Sequence, residues 1–280
     1  MLSLVGAAVQ VDQVDLGAPG RVFLIVAVGV LGLVIGSFLN VVIIRVPAGK
    51  SVVRPRSACP ACAEPIKERD NIPVLSWLLL RGRARCCGEP ISGRYPLVEA
   101  GTALAFGAVG AWIGLSWVLP ALLYLVAISI ALTMIDLELK RLPNAIVLPS
   151  YPIAAALLIP PALAEGEPGR LLHAAIGGAA LYAFYFVLMV INPRGMGFGD
   201  VKLAGVLGFY LGWFGWQYAV VGAFLGFLSG GVVGLILMVL GRAGRKSQIP
   251  FGPYMMIGAW LALAFAEPVV DWYLRASGIS

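Results

Sequence analysis

The sequence is poor in charge: Asp, Glu, Lys and Arg make up only 12% of its 280 residues, against roughly a quarter in an ordinary soluble domain. This shortage excludes a typical soluble protein. An intrinsically disordered chain is also excluded, because it combines low hydrophobicity with high charge density, whereas 60% of this chain is hydrophobic. The composition therefore predicts a polytopic membrane protein, in which each spanning helix needs about 20 mostly apolar residues.

Two other features are missing from the sequence. Residues 1–20 have no basic stretch at their start and contain Asp12 and Asp15, so they do not read as a secretory signal peptide. No glycine-rich loop follows a strand pattern, which argues against a Rossmann-type nucleotide site.

Apolar stretches recur along the chain, and one of them is short and contains Asp200. They cover about residues 22–44, 95–113, 116–135, 143–163, 171–191, 200–213, 216–240 and 251–273. We therefore expect an all-α bundle of about eight transmembrane helices, without strands in the membrane.

The basic residues indicate the orientation of this bundle. If the segment between the first two spans is cytoplasmic, 17 of the 20 Lys and Arg residues lie on that side. The exceptions are Arg21, Arg170 and Arg275. Such asymmetry follows the positive-inside rule. It places both termini outside, with residues 1–21 as an outer segment and residues 275–280 as a tail.

One cytoplasmic insert, residues 47–94, carries all of the cysteines. Its Cys-x-x-Cys sequence has the spacing of half a tetrahedral zinc site. The cytoplasm disfavours structural disulfides, and so short an insert can build little hydrophobic core without a metal. No stacking aromatic residues are interleaved with its arginines, so we expect no nucleic acid as a partner. The predicted zinc ligands are Cys59, Cys62, Cys86 and Cys87.

An internal repeat complicates the zinc prediction. Residues 62–66 match residues 87–91 at four of five positions, which predicts a cysteine at position 84. That position is Ala84, and the spare cysteine is Cys86, directly beside Cys87. Adjacent cysteines can bind one metal ion only with a strained chain, so Cys86 is either a fourth ligand or a free thiol.

Two aspartates lie at the expected cytoplasmic boundary of the membrane. Asp136 ends the third span and Asp200 opens the sixth, and ionisable residues in spans are functional candidates by default. Two neighbouring carboxylates suggest an aspartyl protease dyad, in which one keeps a proton and the other activates water. Gly197 and Gly199 precede Asp200 and would let a substrate backbone approach closely.

The same aspartates are also consistent with two non-proteolytic roles. Asp136 could form an ion pair with Lys140 one helical turn later, and Lys202 is close to Asp200 in sequence. The two carboxylates could also form the site of an ion-coupled transporter, which would predict symmetry between the two halves of the chain and broken helices.

The motif 197–200 reads Gly-Phe-Gly-Asp, the GxGD pattern of membrane aspartyl proteases. The wider sequence resembles the type IV prepilin peptidase family, whose bifunctional members are leader peptidases and N-methyltransferases. The resemblance extends over about residues 25–260. Its segments, in order, are 36–47, the cysteine insert with 71–73 and 76–77, 91–99, 133–144, 195–202 and 249–254.

The resemblance implies a peptidase of the bacterial inner membrane that cleaves the basic leader from prepilins and type II secretion pseudopilins on the cytoplasmic side. Asp136 and Asp200 match the catalytic aspartates, and Gly197, Gly199 and Lys202 belong to the motif loop. Besides these protein substrates, membrane lipid is the expected partner. The peptidase part would be residues 114–274.

The resemblance also implies methylation of the new N-terminal amine with S-adenosylmethionine. Residues 22–113 would hold this activity, and Asn40, Arg45 and Glu99 are the candidate cofactor residues. The family pattern has Cys-x-x-Cys twice, and this chain departs from it at Ala84. A peptidase without methylation therefore remains an alternative.

Overall fold

A computed structural model describes residues 11–59, 61–193, 195–242, 244 and 249–278 of the chain. The outer segment 1–21 and the tail 275–280 are therefore described only in part, and Arg194, Arg245 and Lys246 lie outside the described residues. The helices are α1 Gly17–Arg45, α2 Leu75–Leu79, α3 Arg94–Ile113, α4 Leu119–Leu139, α5 Asn144–Ala164, α6 Gly169–Ile191, α7 Phe198–Phe214, α8 Trp216–Val239 and α9 Gly252–Ala276.

The expected all-α membrane fold is confirmed. Within the described ranges there is no strand, and only isolated bridges occur outside the helices. Seven helices are long and apolar enough to cross a membrane, so the protein is a multi-pass membrane protein. The remaining long helix, α7, has 17 residues and corresponds to the short stretch that contains Asp200.

The surroundings of α7 explain its short, glycine-rich sequence. It contacts α5, α6, α8 and α9, and most of its side chains are buried. Glycines allow these close contacts: a Cβ at Gly177 of α6 would lie 2.8 Å from the Cα of Gly212 in α7. A helix enclosed by other helices needs no lipid-facing surface, and small residues let its backbone approach theirs.

The chain divides into two compact units. One runs from Gln13 to Ile135 and the other contains the chain from Asp136 onward. In the first unit, α1 packs on α3 through glycines, since a Cβ at Gly36 would lie 2.7 Å from the Cα of Glu99. The cysteine insert connects these two helices and contains a 3₁₀ turn, Glu68–Asp70, and the short helix α2.

Candidate active site

Asp136 lies in the last turn of α4 and is only 4% exposed. Its Oδ2 accepts a hydrogen bond of 3.0 Å from the backbone N–H of Gly252, the first residue of α9. A Cβ at position 252 would lie 2.8 Å from this oxygen and 3.3 Å from Cδ2 of Leu142. Only glycine therefore allows the start of α9 to approach the carboxylate this closely.

Asp200 lies in the first turn of α7 and is 9% exposed. Its Oδ2 accepts a hydrogen bond of 3.0 Å from the backbone N–H of Gly197, the residue that caps the helix. A carboxylate at this position satisfies a free N–H group and interacts favourably with the helix dipole. The glycine motif thus ends in an aspartate whose orientation is set by the helix that it starts.

Leu142 connects the surroundings of the two aspartates. A Cβ at Gly199 would lie 3.1 Å from the Cβ of Leu142, and Cδ2 of the same leucine lies against Gly252. The charges of Asp136 and Asp200 are close enough to interact. The structure therefore brings the two predicted carboxylates together, with Leu142 packed between the glycines beside them.

The lysines near the aspartates do not neutralise them. Lys202 donates a hydrogen bond of 2.9 Å to Oδ1 of Asn144, and its Nζ lies 4.4 Å from the centre of the Phe198 ring. In the described part of the chain, neither Asp136 nor Asp200 forms an ion pair. The sequence-based alternative of two lysine–aspartate pairs is therefore wrong for the described residues.

An aromatic cluster beside the aspartates was not predicted from the sequence. Tyr185 of α6 is 2% exposed, and its ring centre lies 5.4 Å from that of Phe227 in α8. Phe251 lies 5.0 Å from Phe227 and directly precedes Gly252. The charge of Asp200 also acts on Tyr185. Tyr185 and Phe227 come from separate helices and Phe251 precedes a third, α9, so no local pattern in the sequence relates these aromatics.

The four cysteines form one cluster within the insert. Their Sγ atoms all lie within 4.8 Å of one another. The closest described pairs are Cys62 with Cys86 at 3.3 Å and Cys59 with Cys87 at 3.7 Å. Four sulfurs around a tetrahedral zinc ion at the usual bond length are about 3.8 Å apart. The donor set and its spacing therefore fit a metal ion.

The internal repeat explains how Cys86 enters this cluster. The N–H of Cys59 donates to the carbonyl of Glu64 at 2.9 Å, and the N–H of Ala84 donates to that of Glu89 at 2.8 Å. Ala84 is thus the structural counterpart of Cys59. Cys86 lies two positions later in the second turn, and its thiol reaches the cluster from there.

The backbone around the first cysteine favours a thiolate. The N–H groups of Cys62 and Ala61 lower the pKa of Cys59 to about 7, against an ordinary value near 8.5. The hydrogen bond with Cys62 contributes most to raising the pKa of Cys86 to about 12. Neighbouring thiols that share protons titrate as a group.

Two of the candidate cofactor residues lie between α1 and α3. Asn40 is 3% exposed, and its Nδ2 donates a hydrogen bond of 3.1 Å to the carbonyl of Tyr95. Its Oδ1 is buried without a hydrogen-bond partner among the described residues. Glu99 is 9% exposed, and its Oε2 accepts a hydrogen bond of 2.7 Å from the N–H of Val74, at the start of α2.

The third candidate, Arg45, lies at the end of α1. Its Nη1 donates to the carbonyls of Ser51 and Pro55, at 3.1 and 2.8 Å. Arg45 therefore ties down the first residues of the insert, whereas Glu99 holds the start of α2. Both have structural partners, and only Asn40 offers a buried acceptor that the described protein leaves unsatisfied.

Two family models match consecutive parts of the sequence. The bacterial peptidase A24 N-terminal domain matches residues 30–113, and the type IV leader peptidase family matches residues 123–239. The first match contains the cysteine insert, and the second contains both aspartates.

Curated relatives match most of the chain. A prepilin leader peptidase/N-methyltransferase of Stutzerimonas stutzeri is 36% identical over 270 residues, which are 88% of this chain and 92% of the relative. A protein of the same name from Aeromonas hydrophila is 37% identical, over 86% of this chain and 91% of the relative. One from Bacillus subtilis is 32% identical, over 88% of this chain and 96% of the relative. No solved structure matches the chain significantly.

Proposed function

The chain belongs to the type IV leader peptidase family, and on that premise we propose that it cleaves the leader from prepilins with Asp136 and Asp200 as its catalytic pair. One observation supports this pair above all. Two buried carboxylates interact with each other, and each is held at Oδ2 by the backbone N–H of a glycine at the start of a helix. The relatives' names supply the substrate class.

In the proposed reaction one aspartate is protonated and the other ionised, because two close negative charges are costly. The ionised carboxylate takes a proton from water as the water oxygen attacks the scissile carbonyl carbon. The protonated carboxylate donates to the carbonyl oxygen, and a proton reaches the leaving nitrogen as the C–N bond breaks. The N–H groups of Gly197 and Gly252 orient both carboxylates for these transfers.

The location of Asp136 and Asp200 at helix ends fits a substrate that lies partly in the membrane. A prepilin would keep its basic leader in the cytoplasm and its apolar helix in the bilayer, so its scissile bond would lie at a membrane boundary. The distribution of basic residues supports a cytoplasmic active site and outer termini. We assign this peptidase function to residues 114–274.

We also propose that residues 22–113 carry the N-methyltransferase activity named for the relatives. When bound, S-adenosylmethionine would supply the electrophilic methyl group. The buried, unpartnered Oδ1 of Asn40 fits a donor of such a cofactor. Glu99 and Arg45 would shape the site by holding α2 and the start of the insert.

The variant Asn40→Leu tests this assignment. We expect methylation of the pilin N-terminus to fall about tenfold or more, because the variant loses both the bond to the Tyr95 carbonyl and the proposed bond from the cofactor, while leader cleavage stays within about twofold. Mass spectrometry of the processed pilin measures both reactions. Thr102→Val is the control, because Thr102 is buried in α3 and donates to Val98 of its own helix. Wild-type methylation by Asn40→Leu would place the cofactor elsewhere.

We propose that the cysteine cluster binds one structural zinc ion. Elemental analysis should find about one zinc per chain, since structural zinc sites are tetrahedral and closed. Cys86→Ser should lose zinc to a chelator that the wild type resists, because one of four thiolates is missing. Zinc near zero in the wild type would contradict the proposal.

The structural equivalence of Ala84 and Cys59 provides a matched control. The double variant Ala84→Cys with Cys86→Ala returns a cysteine to the repeat position, and we expect it to retain zinc. Loss of zinc in this double variant alone would show that the insert is adapted specifically to Cys86.

A further inference from the structure

A cavity of about 670 Å³ lies in the unit that contains the chain from Asp136 onward, away from the aspartates. It is formed by α6, α7 and the start of α8, with Glu267 contributed by α9. Trp213, which lines it, follows Asp200 by 13 positions on α7, or about 20 Å along the helix. The cavity is therefore at the opposite end of α7 from the candidate active site.

The cavity has a polar end and an apolar end. The polar end contains charged and hydrogen-bonding groups. They are Glu167, Arg170, His173, Trp213, Tyr218 and Glu267. The apolar end is lined by Ile176, Leu181, Phe184 and Val220, of which Ile176 and Val220 are more than half exposed. In a membrane protein such side chains face lipid, so the cavity opens toward the bilayer.

A buried donor at the polar end has no partner. Trp213 is 1% exposed, and its indole Nε1 lacks a hydrogen bond in the described part of the chain. Arg170 lies over the same indole, with its Cζ 4.9 Å from the ring centre, and its Nη1 is bound by Glu165. Buried tryptophan N–H groups normally find an acceptor, so a ligand oxygen would satisfy this one.

The charges restrict the ligand further. Glu165 already neutralises Arg170, and no described residue forms an ion pair with Glu167 or Glu267. Tyr218 donates 2.8 Å to Oε1 of Glu267 and fixes that carboxylate in the cavity wall. A purely anionic ligand would be repelled by these carboxylates, whereas an ammonium group would pair with them.

The length and volume of the cavity suit an extended lipid chain. Gly169 and Phe184 both line the cavity and are 15 positions apart on α6, a distance of about 22 Å along the helix. A volume of this size suits a small amphipathic molecule, and its length exceeds one leaflet, about 15 Å of hydrocarbon.

We propose that this cavity binds one zwitterionic phospholipid with a primary ammonium, such as phosphatidylethanolamine, from the leaflet opposite to the aspartates. The phosphate oxygens accept from the Trp213 indole and lie near Arg170. The ammonium pairs with Glu267 and Glu167, and one acyl chain follows α6 toward Phe184. The site is independent of the proposed peptidase and methyltransferase functions.

Native mass spectrometry of the full-length protein in detergent tests the site, with dioleoyl phosphatidylethanolamine, dioleoyl phosphatidylglycerol and glycerophosphoethanolamine as probes. We expect one phosphatidylethanolamine per chain, bound about tenfold more tightly than phosphatidylglycerol. Glycerophosphoethanolamine, which has no acyl chains, should bind much more weakly. Equal affinity for the two lipids, or for the lipid and its free headgroup, would overturn the proposal.

Two variants remove single interactions from the site. Trp213→Phe removes the N–H and keeps an aromatic ring, and Glu267→Gln removes the charge but keeps an acceptor for Tyr218. Each should weaken phosphatidylethanolamine binding about tenfold, and Glu267→Gln should also reduce the preference over phosphatidylglycerol. Trp272→Phe, at a residue 70% exposed on α9, is the control. Wild-type binding by both variants would show that the cavity is not a lipid site.

Discussion

Asp136→Asn and Asp200→Asn should each reduce prepilin cleavage by about 10³-fold or more, at the upper part of the range for losing an acid–base group. Asparagine has the shape of aspartate, and its side-chain oxygen can accept the same bond from Gly252 or Gly197. The local structure should therefore persist. The amide, however, cannot take a proton from water or return one to the leaving nitrogen, so the chemical step fails.

Cleavage of a purified prepilin, followed by gel electrophoresis and mass spectrometry, measures this loss. The double variant should be about as inactive as each single one, because residues that act as a unit lose activity non-additively. Asp271→Asn, an exposed residue near the end of α9, is the matched control and should cleave normally. If either active-site variant keeps more than about a tenth of the wild-type rate while its thermal unfolding is unchanged, the two-carboxylate mechanism is wrong.

Gly252→Ala should reduce kcat for cleavage about 10²-fold without a comparable change in KM. A Cβ at this position would lie 2.8 Å from Oδ2 of Asp136 and 3.3 Å from Leu142, so the carboxylate must move. Misplacing a catalytic group by about 1 Å can cost a factor of 10². Because the substitution displaces a catalytic carboxylate, the loss should appear in the chemical step.

The control for this variant is Gly231→Ala, on α8, where a Cβ would meet nothing within 4 Å. It should cleave at the wild-type rate and can gain slightly in stability, since alanine favours a helix over glycine by about 1 kcal/mol. Methylation of a peptide that already carries the mature pilin N-terminus provides a second check. It should be unaffected by Gly252→Ala if the fold is intact. Normal cleavage by Gly252→Ala would mean that the hydrogen bond from position 252 does not position Asp136.

The apolar stretches predict most of the architecture because hydropathy is a local property. Each predicted stretch corresponds to a helix of the structure, and even the short one at 200–213 is α7. The repeat in the cysteine insert also identifies Ala84 as the position at which an expected cysteine is missing. The repeat could not show that Cys86 takes the place of this cysteine, because the second turn of the folded insert directs the Cys86 side chain toward Cys62.

The candidate site is only partly predictable, because contacts between distant helices are not a local property of the sequence. Asp136 and Asp200 stand out as rare charges at the ends of spans, but their partners do not. Lys202 is close to Asp200 in sequence, yet its side chain bonds to Asn144 instead. The aromatic residues beside the aspartates come from α6, α8 and the start of α9, and no periodicity in one helix connects them.

The sequence by itself determined the membrane class and the place of each long helix, and it made Asp136 and Asp200 the candidate site residues, because composition and hydropathy act along the chain. Only the tertiary structure decided that Gly252 holds Asp136, a contact between residues 116 positions apart. It also decided that the indole of Trp213 is buried without a partner beside a cavity. Both depend on which helices pack together, and packing is decided by three-dimensional fit between distant segments.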